Sequence, residues 1–125
     1  MGTPYGHAAA TSLGFDAALA HLRDALADAG WTIVFERDAS RPSRRYRILG
    51  ALERELFDEA LGFEDDAGLL VPWNFAVAED LGCVTVSAVD PHERFRSANN
   101  GLLNAVADRL AAGITAILDG FPAER

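Results

Sequence analysis

The sequence has no lysine, one cysteine and no long apolar run, and each shortage excludes a class of protein. Cys83 has no second cysteine to pair with, so an intramolecular disulfide bond is excluded and a reducing compartment fits. No stretch approaches the roughly 20 apolar residues that a membrane-spanning helix requires. Residues 1–11 lack the basic start and apolar segment of a signal peptide. We therefore expect a cytoplasmic protein with no membrane partner.

The basic residues are few and are all arginines. The chain has eleven arginines and nineteen acidic residues, which gives a formal net charge of −8. Nucleic-acid binding depends on cationic side chains that replace counterions along the phosphates, and an acidic domain is repelled by such a polymer. We therefore expect no nucleic-acid partner. Because the arginines are spread along an alanine-rich chain, the absence of lysine indicates GC-rich codon usage more than a demand for guanidinium chemistry.

The length and composition indicate a single folded domain. The chain has 125 residues, of which 50% are hydrophobic and 24% are charged, an ordinary globular mixture that allows one sizeable core. No repeat, low-complexity tract or linker interrupts it. We expect one domain over residues 1–125, with a frayed tail from 119 to 125.

Three segments carry the three-to-four-residue spacing of amphipathic helices. The first runs over residues 15–29, with Ser12 as an N-cap and Gly30 in the left-handed C-cap position. A short helix is predicted over residues 54–61. The last is a long helix over residues 93–118, whose inner stripe includes Asn99, and Asp90 followed by proline resembles the cap that begins it.

Strand patterns occupy the rest of the chain, in segments 5–11, 31–37, 46–52, 69–78 and 83–89. Alternation in the second segment predicts that Trp31, Ile33 and Phe35 share one face of the sheet. Pro72 cannot donate to a strand ladder. It therefore indicates an edge position, a bulge, or a strand that begins near Trp73. The short glycine-containing connection 79–82 predicts a hairpin.

The element order is strand, helix, strand, strand, short helix, strand, strand, helix. Strands joined by short links pair antiparallel, and two amphipathic helices can cover one face of the resulting sheet. The sequence therefore predicts an α+β fold, a two-layer sandwich with a curved antiparallel sheet and two main helices on one face.

Three segments resemble signature stretches of the domain-of-unknown-function family 302: residues 46–51 (YRILGA), 68–74 (GLLVPWN) and 86–91 (VSAVDP). The resemblance extends from residue 12 to residue 118. It implies a fold like that of the TATA-binding protein, whose DNA-binding function does not transfer with the fold. The family has no established activity. Many relatives carry a cysteine in place of Trp73 and another near residues 52–54, so any thiol or metal role of those cysteines does not extend to this chain.

An arginine-rich stretch is the first candidate for ligand recognition. Arg37, Arg44, Arg45 and Arg47 are close in sequence, and paired guanidinium N–H groups can bind a carboxylate or a phosphate. Three interpretations are open: a solvated loop whose arginines pair with nearby acids, a site for a small anionic ligand, and a dimer contact.

Trp73, Asn74 and Asp90 are the other candidates. Trp73 is either part of the core or an exposed anchor for a ligand or partner, and Asn74 either closes a turn or binds a polar ligand. Asp90, together with His92, either caps a helix, takes part in acid–base chemistry or holds a metal. Cys83 is expected to be a small buried apolar residue and not a nucleophile.

The sequence contains no phosphate-binding loop, nucleophile elbow or zinc signature, so we expect no metal and no cofactor. The leading prediction is a non-catalytic binding domain that forms a homodimer through an exposed sheet face or edge. The alternative is a small enzyme or small-molecule or anion-binding protein, with a pocket between the arginine stretch and Trp73.

Overall fold

The computed structural model describes residues 2–3 and 5–124; Met1, Pro4 and Arg125, the last residue of the predicted tail, lie outside them. The helices are α1 (Phe15–Asp28), α2 (Arg54–Phe63), α3 (Pro91–Arg96) and α4 (Leu103–Asp119), and a short 3₁₀ helix spans Asp65–Leu69. The strands are β1 (Gly2–Thr3), β2 (Gly6–Thr11), β3 (Trp31–Asp38), β4 (Arg45–Glu53), β5 (Trp73–Asp80) and β6 (Cys83–Val89). No helix of the described chain is long and apolar enough to cross a membrane.

The strands form one antiparallel sheet in the order β1-β2-β6-β5-β4-β3. β1 contributes two residues, so the sheet consists essentially of five strands. α1 and α4 pack on one of its faces, which we call the covered face, and the opposite side is the open face. The α+β sandwich predicted from the sequence is confirmed.

The core lies between α1, α4 and the covered face. Alternate strand residues point into it because successive side chains of a strand point to opposite faces. The helices contribute leucine, valine and isoleucine at three- and four-residue spacing. These side chains are at most 4% exposed: Leu19, Leu22, Leu26, Leu49, Phe75, Val77, Val84, Val86, Val106, Leu110 and Ile114. Each such burial stabilises the fold by about 1.5–3 kcal/mol before entropy is counted.

A bulge in β3 changes the face on which its second half lies. Ile33 lies opposite Ala51, whereas Phe35 lies opposite Gly50, so Val34 is an extra residue between the two pairs. A bulge places two residues against one and reverses the alternation beyond it. Phe35 therefore lies on the open face, and the prediction that it shares a face with Trp31 and Ile33 is wrong.

The predicted helix over residues 93–118 is also wrong, because the chain breaks it into α3 and α4. Asn99 adopts a left-handed φ of 50°, a conformation that asparagine tolerates better than most residues. Asn100 donates from Nδ2 to the carbonyl of Phe63 at 2.9 Å and accepts from the Leu102 N–H at 3.0 Å. Such side-chain bonds to the backbone compete with helical hydrogen bonding. Asn99 is thus in a turn and not in a helical stripe.

Two predicted turns are confirmed. Leu81 and Gly82 connect β5 to β6 with φ values of 52° and 80°, the two positive values of a type I′ hairpin turn. Gly30 has a φ of 84° just after α1, as a left-handed C-cap requires. β5 begins at Trp73, after a cis Val71–Pro72 bond, so the late start of the strand is the interpretation that applies to Pro72.

The end of the described chain packs against β2, which differs from the frayed tail expected over residues 119–125. Phe121 is 7% exposed. The Pro122 carbonyl accepts hydrogen bonds from Thr11 Oγ1 at 2.7 Å and from the Ser12 N–H at 3.2 Å. The prediction that Ser12 caps α1 is wrong. The backbone of Ser12 bonds to this segment, and the N-cap residue of α1 is Gly14. Burial of the Phe121 ring stabilises the attachment of this segment, because detachment would expose the ring to water.

We predict that Gly50→Ala lowers the free energy of unfolding by about 1–3 kcal/mol. A Cβ atom at Gly50 would lie 2.1 Å from Phe35 Cε2, so the ring would have to leave its place on the open face. Gly62→Ala is the control, because nothing lies within 4 Å of a Cβ there and alanine in a helix is favoured over glycine by about 1 kcal/mol. Urea unfolding measures both. Equal effects of the two substitutions would contradict the bulged register.

Candidate functional site

The four arginines predicted to bind an anion divide between the two faces of the sheet. Arg45 pairs with Asp16 of α1 at 2.8 Å, and its guanidinium lies 4.2 Å from the centre of the Phe15 ring. Arg47 pairs with Glu36 at 3.4 Å. Both arginines belong to the covered side, by alternation with the buried residues of β4.

Arg44 and Arg37 lie on the open side. Arg44 pairs with Asp80 at 3.0 Å, and its guanidinium lies 4.9 Å from the centre of the Tyr46 ring. Arg37 lies opposite Ile48 in the register of β3 and β4. The four guanidinium groups therefore do not converge on one spot. The interpretation as a solvated stretch whose arginines pair with acids describes Arg44, Arg45 and Arg47.

The ion pairs also shift the pKa values of their acids. The hydrogen bond from Arg45 lowers the pKa of Asp16, and the hydrogen bond from Arg23 lowers the pKa of Glu36 despite some burial of the carboxylate. Exposed pairs of this kind stabilise a fold only weakly, because water and salt screen the charges. They neutralise the arginines more than they stabilise the fold.

Trp73 belongs to the core and not to the surface. It is 1% exposed, and its ring packs edge-on against Phe95 with the ring centres 5.1 Å apart. The Arg94 guanidinium lies 5.9 Å from the centre of the Trp73 ring. Asn74 follows Trp73 in β5 and therefore points to the opposite side, the open face.

Asn74 lines a hollow of about 360 Å³ on the open face, which we call the Arg94 hollow. Its walls combine aromatic, aliphatic and polar groups from three neighbouring strands. They include Tyr46 and Ile48 of β4, Asn74 and Ala76 of β5, and Ser87 and Val89 of β6, with Tyr5 and Arg94 from outside the strands. Of the seven residues that the sequence predicted to bind a ligand, Asn74 is the one in this lining.

Small side chains in the middle of the sheet create the space. Ala76 lies between Ile48 on one side and Ser87 on the other in the strand register. Larger side chains at positions 76 and 87 would fill the hollow, because side chains at directly opposed positions are only about 5 Å apart. Farther along the same face, Ala78 and Thr85 line a second hollow of about 290 Å³, which contains the Arg44–Asp80 pair.

Among the described residues that line the Arg94 hollow, one is charged, Arg94 itself. No acidic residue of the described chain lines it. Arg94 donates from one terminal nitrogen to the Leu70 carbonyl at 2.8 Å, and no described carboxylate pairs with it. By contrast, six other arginines pair with carboxylates: Arg23, Arg44, Arg45, Arg47, Arg96 and Arg109. A guanidinium has five N–H donors, so Arg94 retains donors for a further partner.

The prediction that Cys83 is a small buried residue is wrong. It is exposed, because it begins β6 directly after the hairpin turn and lies on the open face. A hydrogen bond with Glu124, together with the negative charge of that residue, raises the pKa of the Cys83 thiol. A raised pKa reduces the thiolate fraction, so the exposure of Cys83 is not accompanied by activation.

Asp90 caps α3, and the structure adds a partner that the sequence did not suggest. Asp90 accepts from the His92 N–H at 2.9 Å. The His92 ring lies between two carboxylates, with Nδ1 3.0 Å from Asp90 and Nε2 2.6 Å from Asp108 of α4. The hydrogen bond with Asp108 is the largest effect and raises the pKa of His92. Burial opposes it, and the contact with Asp90 raises the pKa further. The three residues tie α3, which carries Arg94, to α4.

The comparisons with known proteins agree with this fold. The family described as "Domain of unknown function DUF302" matches residues 7–121. A crystal structure of an uncharacterized conserved DUF302 protein from Bacillus stearothermophilus is similar, with a TM-score of 0.86 and 16% sequence identity. The similarity covers 94% of this chain and 98% of the other, and at this identity it shows the fold alone. No curated protein matches the chain.

We predict that His92 contributes more to the stability of the protein at acid than at alkaline pH. A histidine whose pKa is raised by folding contributes stability below its unfolded pKa of about 6.5 and loses it as the pH rises through the folded value. Only the protonated ring can donate to both carboxylates. The urea midpoint of the wild type should therefore exceed that of His92→Gln at about pH 5.5, and the difference should shrink at about pH 8.5. A difference that is constant with pH would contradict the double contact.

Proposed function

The chain belongs to the DUF302 family, whose function is unknown, and on that premise we propose a role from the geometry of the chain itself. It is a non-catalytic binding domain that binds a small organic molecule in the Arg94 hollow. The observation that carries this proposal is the hollow on a sheet face that no helix of the described chain covers. It combines apolar walls with a few polar groups.

The dimensions and the lining of the hollow suit a small molecule. Ligand pockets measure about 300–1,000 Å³ and have mainly apolar walls with a few polar groups that orient the ligand. The hollow has about 360 Å³. Ile48, Ala76 and Val89 supply the apolar surface, and Asn74, Ser87 and Arg94 supply the polar groups. The described chain provides no hydrogen bond to the side-chain amide of Asn74, which leaves that amide available to a ligand.

The chemistry of the lining favours binding over catalysis. No carboxylate, imidazole or thiol of the described residues lines the hollow, and these groups supply most general acids, bases and nucleophiles. Ser87 has a hydroxyl but no base in this lining to activate it. His92 is engaged with Asp90 and Asp108 and is not part of the lining.

A second candidate function, formation of a homodimer, is favoured by an apolar patch at the β3 edge of the open face, where Gly50 lies between Phe35 and Asn74. Val34 is 50% exposed and Phe35 is 40% exposed. Beside them, Leu52 and Phe57 line a depression of about 440 Å³ together with Val34. Exposed apolar groups that lie together are typical of interaction surfaces, and the bulge in β3 is what brings Phe35 to this side.

We predict that small benzene derivatives bind in the Arg94 hollow. Benzyl alcohol, benzoate and benzylamine would be titrated separately into ¹⁵N-labelled protein, and at least one should shift the amide resonances of Asn74, Ala76 and Ser87. Ala76→Leu fills the hollow and should weaken that binding by about tenfold or more, a loss of about 1.4 kcal/mol. Ala10→Leu makes the same change on the open face outside the hollow and should leave binding unchanged. Shifts confined to other regions, or equal effects of the two substitutions, would contradict the proposal.

For the homodimer, we predict that Val34→Ser shifts the equilibrium toward monomer. Replacing an exposed valine with serine removes apolar surface from the patch and therefore weakens association. Sedimentation velocity at micromolar concentrations measures the monomer fraction. Leu81→Ser is the matched control, because Leu81 is fully exposed at the hairpin turn, away from the patch. A wild type that is entirely monomeric would eliminate this candidate without affecting the proposed ligand site.

A further inference from the structure

The charge of the Arg94 hollow is opposite to that of the protein as a whole. The chain has a formal net charge of −8, and most of its ion-paired arginines lie on exposed surface. Arg94 is partly buried, lines the hollow and has a backbone carbonyl as its hydrogen-bond acceptor. Without an acid in the described lining, the guanidinium gives the hollow a local positive charge.

On the basis of the proposed function, we infer that the ligand of this hollow is a small monocarboxylic acid with an apolar body. The carboxylate binds Arg94 and the amide of Asn74, and the apolar body lies against Ile48, Ala76 and Val89. A guanidinium matches a carboxylate with two parallel N–H donors, and such charge-assisted bonds are about twice as strong as neutral ones. The single hydrogen bond to Leu70 uses one donor of the five.

Arg94 is prepared for this task before a ligand arrives. The bond to the Leu70 carbonyl and the position 5.9 Å from the centre of the Trp73 ring restrict its side chain. Trp73 is itself fixed by its contact with Phe95. Restricting a long side chain in advance removes part of the conformational entropy that binding would otherwise cost. The buried tryptophan thus acts on the site through the arginine above it.

The same arrangement disfavours other classes of ligand. An organic cation would meet the positive charge of Arg94 with no carboxylate in the described lining to offset it. Inorganic phosphate carries up to two negative charges at neutral pH, but the described lining offers one cation, and the remaining charge would be opposed by the acidic protein. A neutral molecule would gain the apolar contacts but not the charge-assisted bonds.

The test compares probes that share one ring and differ in charge. Benzoate, benzyl alcohol, benzylamine and inorganic phosphate would each be titrated into the wild-type protein, followed by the amide resonances of Asn74, Ala76 and Ser87. Benzoate should bind about tenfold more tightly than benzyl alcohol, and benzylamine and phosphate should bind more weakly than either. This order requires no substitution, so it can be measured even if variants of Arg94 fail to fold.

Two substitutions assign the selectivity to one residue. Arg94→Met keeps an apolar stem but removes the guanidinium, and should reduce the affinity for benzoate to that for benzyl alcohol. Arg96→Met is the matched control, since it changes the net charge equally on the same helix at an exposed site paired with Glu93. It should leave the benzoate preference unchanged.

The outcomes distinguish this inference from the proposed function. Equal binding of benzoate and benzyl alcohol in the hollow would overturn the carboxylate inference and leave the binding site itself supported. Tighter binding of phosphate or benzylamine than of benzoate would also overturn it. A lack of any response in the hollow would contradict both. Loss of the benzoate preference in Arg96→Met as well as in Arg94→Met would assign the effect to net charge and overturn the role of Arg94.

Discussion

The packing of α1 and α4 against one face of the sheet is the constraint on which the rest of the structure depends. Every second side chain of the central strands is buried in that contact, including those of Phe75, Val77 and Val86. The intervening side chains are not packed beneath a helix, because a strand directs neighbouring residues to opposite sides. Small residues such as Ala76 and Ser87 are therefore tolerated on the open face, and they leave the space that becomes the Arg94 hollow.

Two departures from regular structure then set the properties of the open face. The bulge at Val34 brings Phe35 over Gly50 and gives the β3 edge of the face its apolar character. The break between α3 and α4 leaves α3 as a separate short helix, from which Arg94 reaches the hollow on β4, β5 and β6. The pairing of His92 with Asp90 and Asp108 links that short helix to α4. The apolar patch and the charged hollow thus have independent structural causes on one surface.

The sequence predicts the fold well, because apolar periodicity directly reflects which side of each element is buried. The family resemblance is likewise confirmed by the match over residues 7–121. The sequence did not predict the local departures, for physical reasons. A bulge adds one residue without altering composition. The apolar spacing on either side of Asn99 predicts one continuous helix, although the side chains of Asn99 and Asn100 favour a turn. The site was missed because Arg94 has no local motif. Arg94 is brought near Trp73 and Asn74 by residues that are distant in sequence. The clustered arginines that the sequence predicts as an anion site are mostly paired with acids, on two faces of the sheet.

Solvent accessibility of the methyl groups on the two faces of β5 tests the central claim most directly. A soluble paramagnetic gadolinium complex broadens the NMR signals of methyl groups that it can approach. We expect strong broadening for Ala76 and Ala78 and almost none for Val77, which lies between them in sequence but is 0% exposed. Similar protection of all three methyl-bearing residues would show that the second face is covered as well, and would contradict an open face with a ligand site.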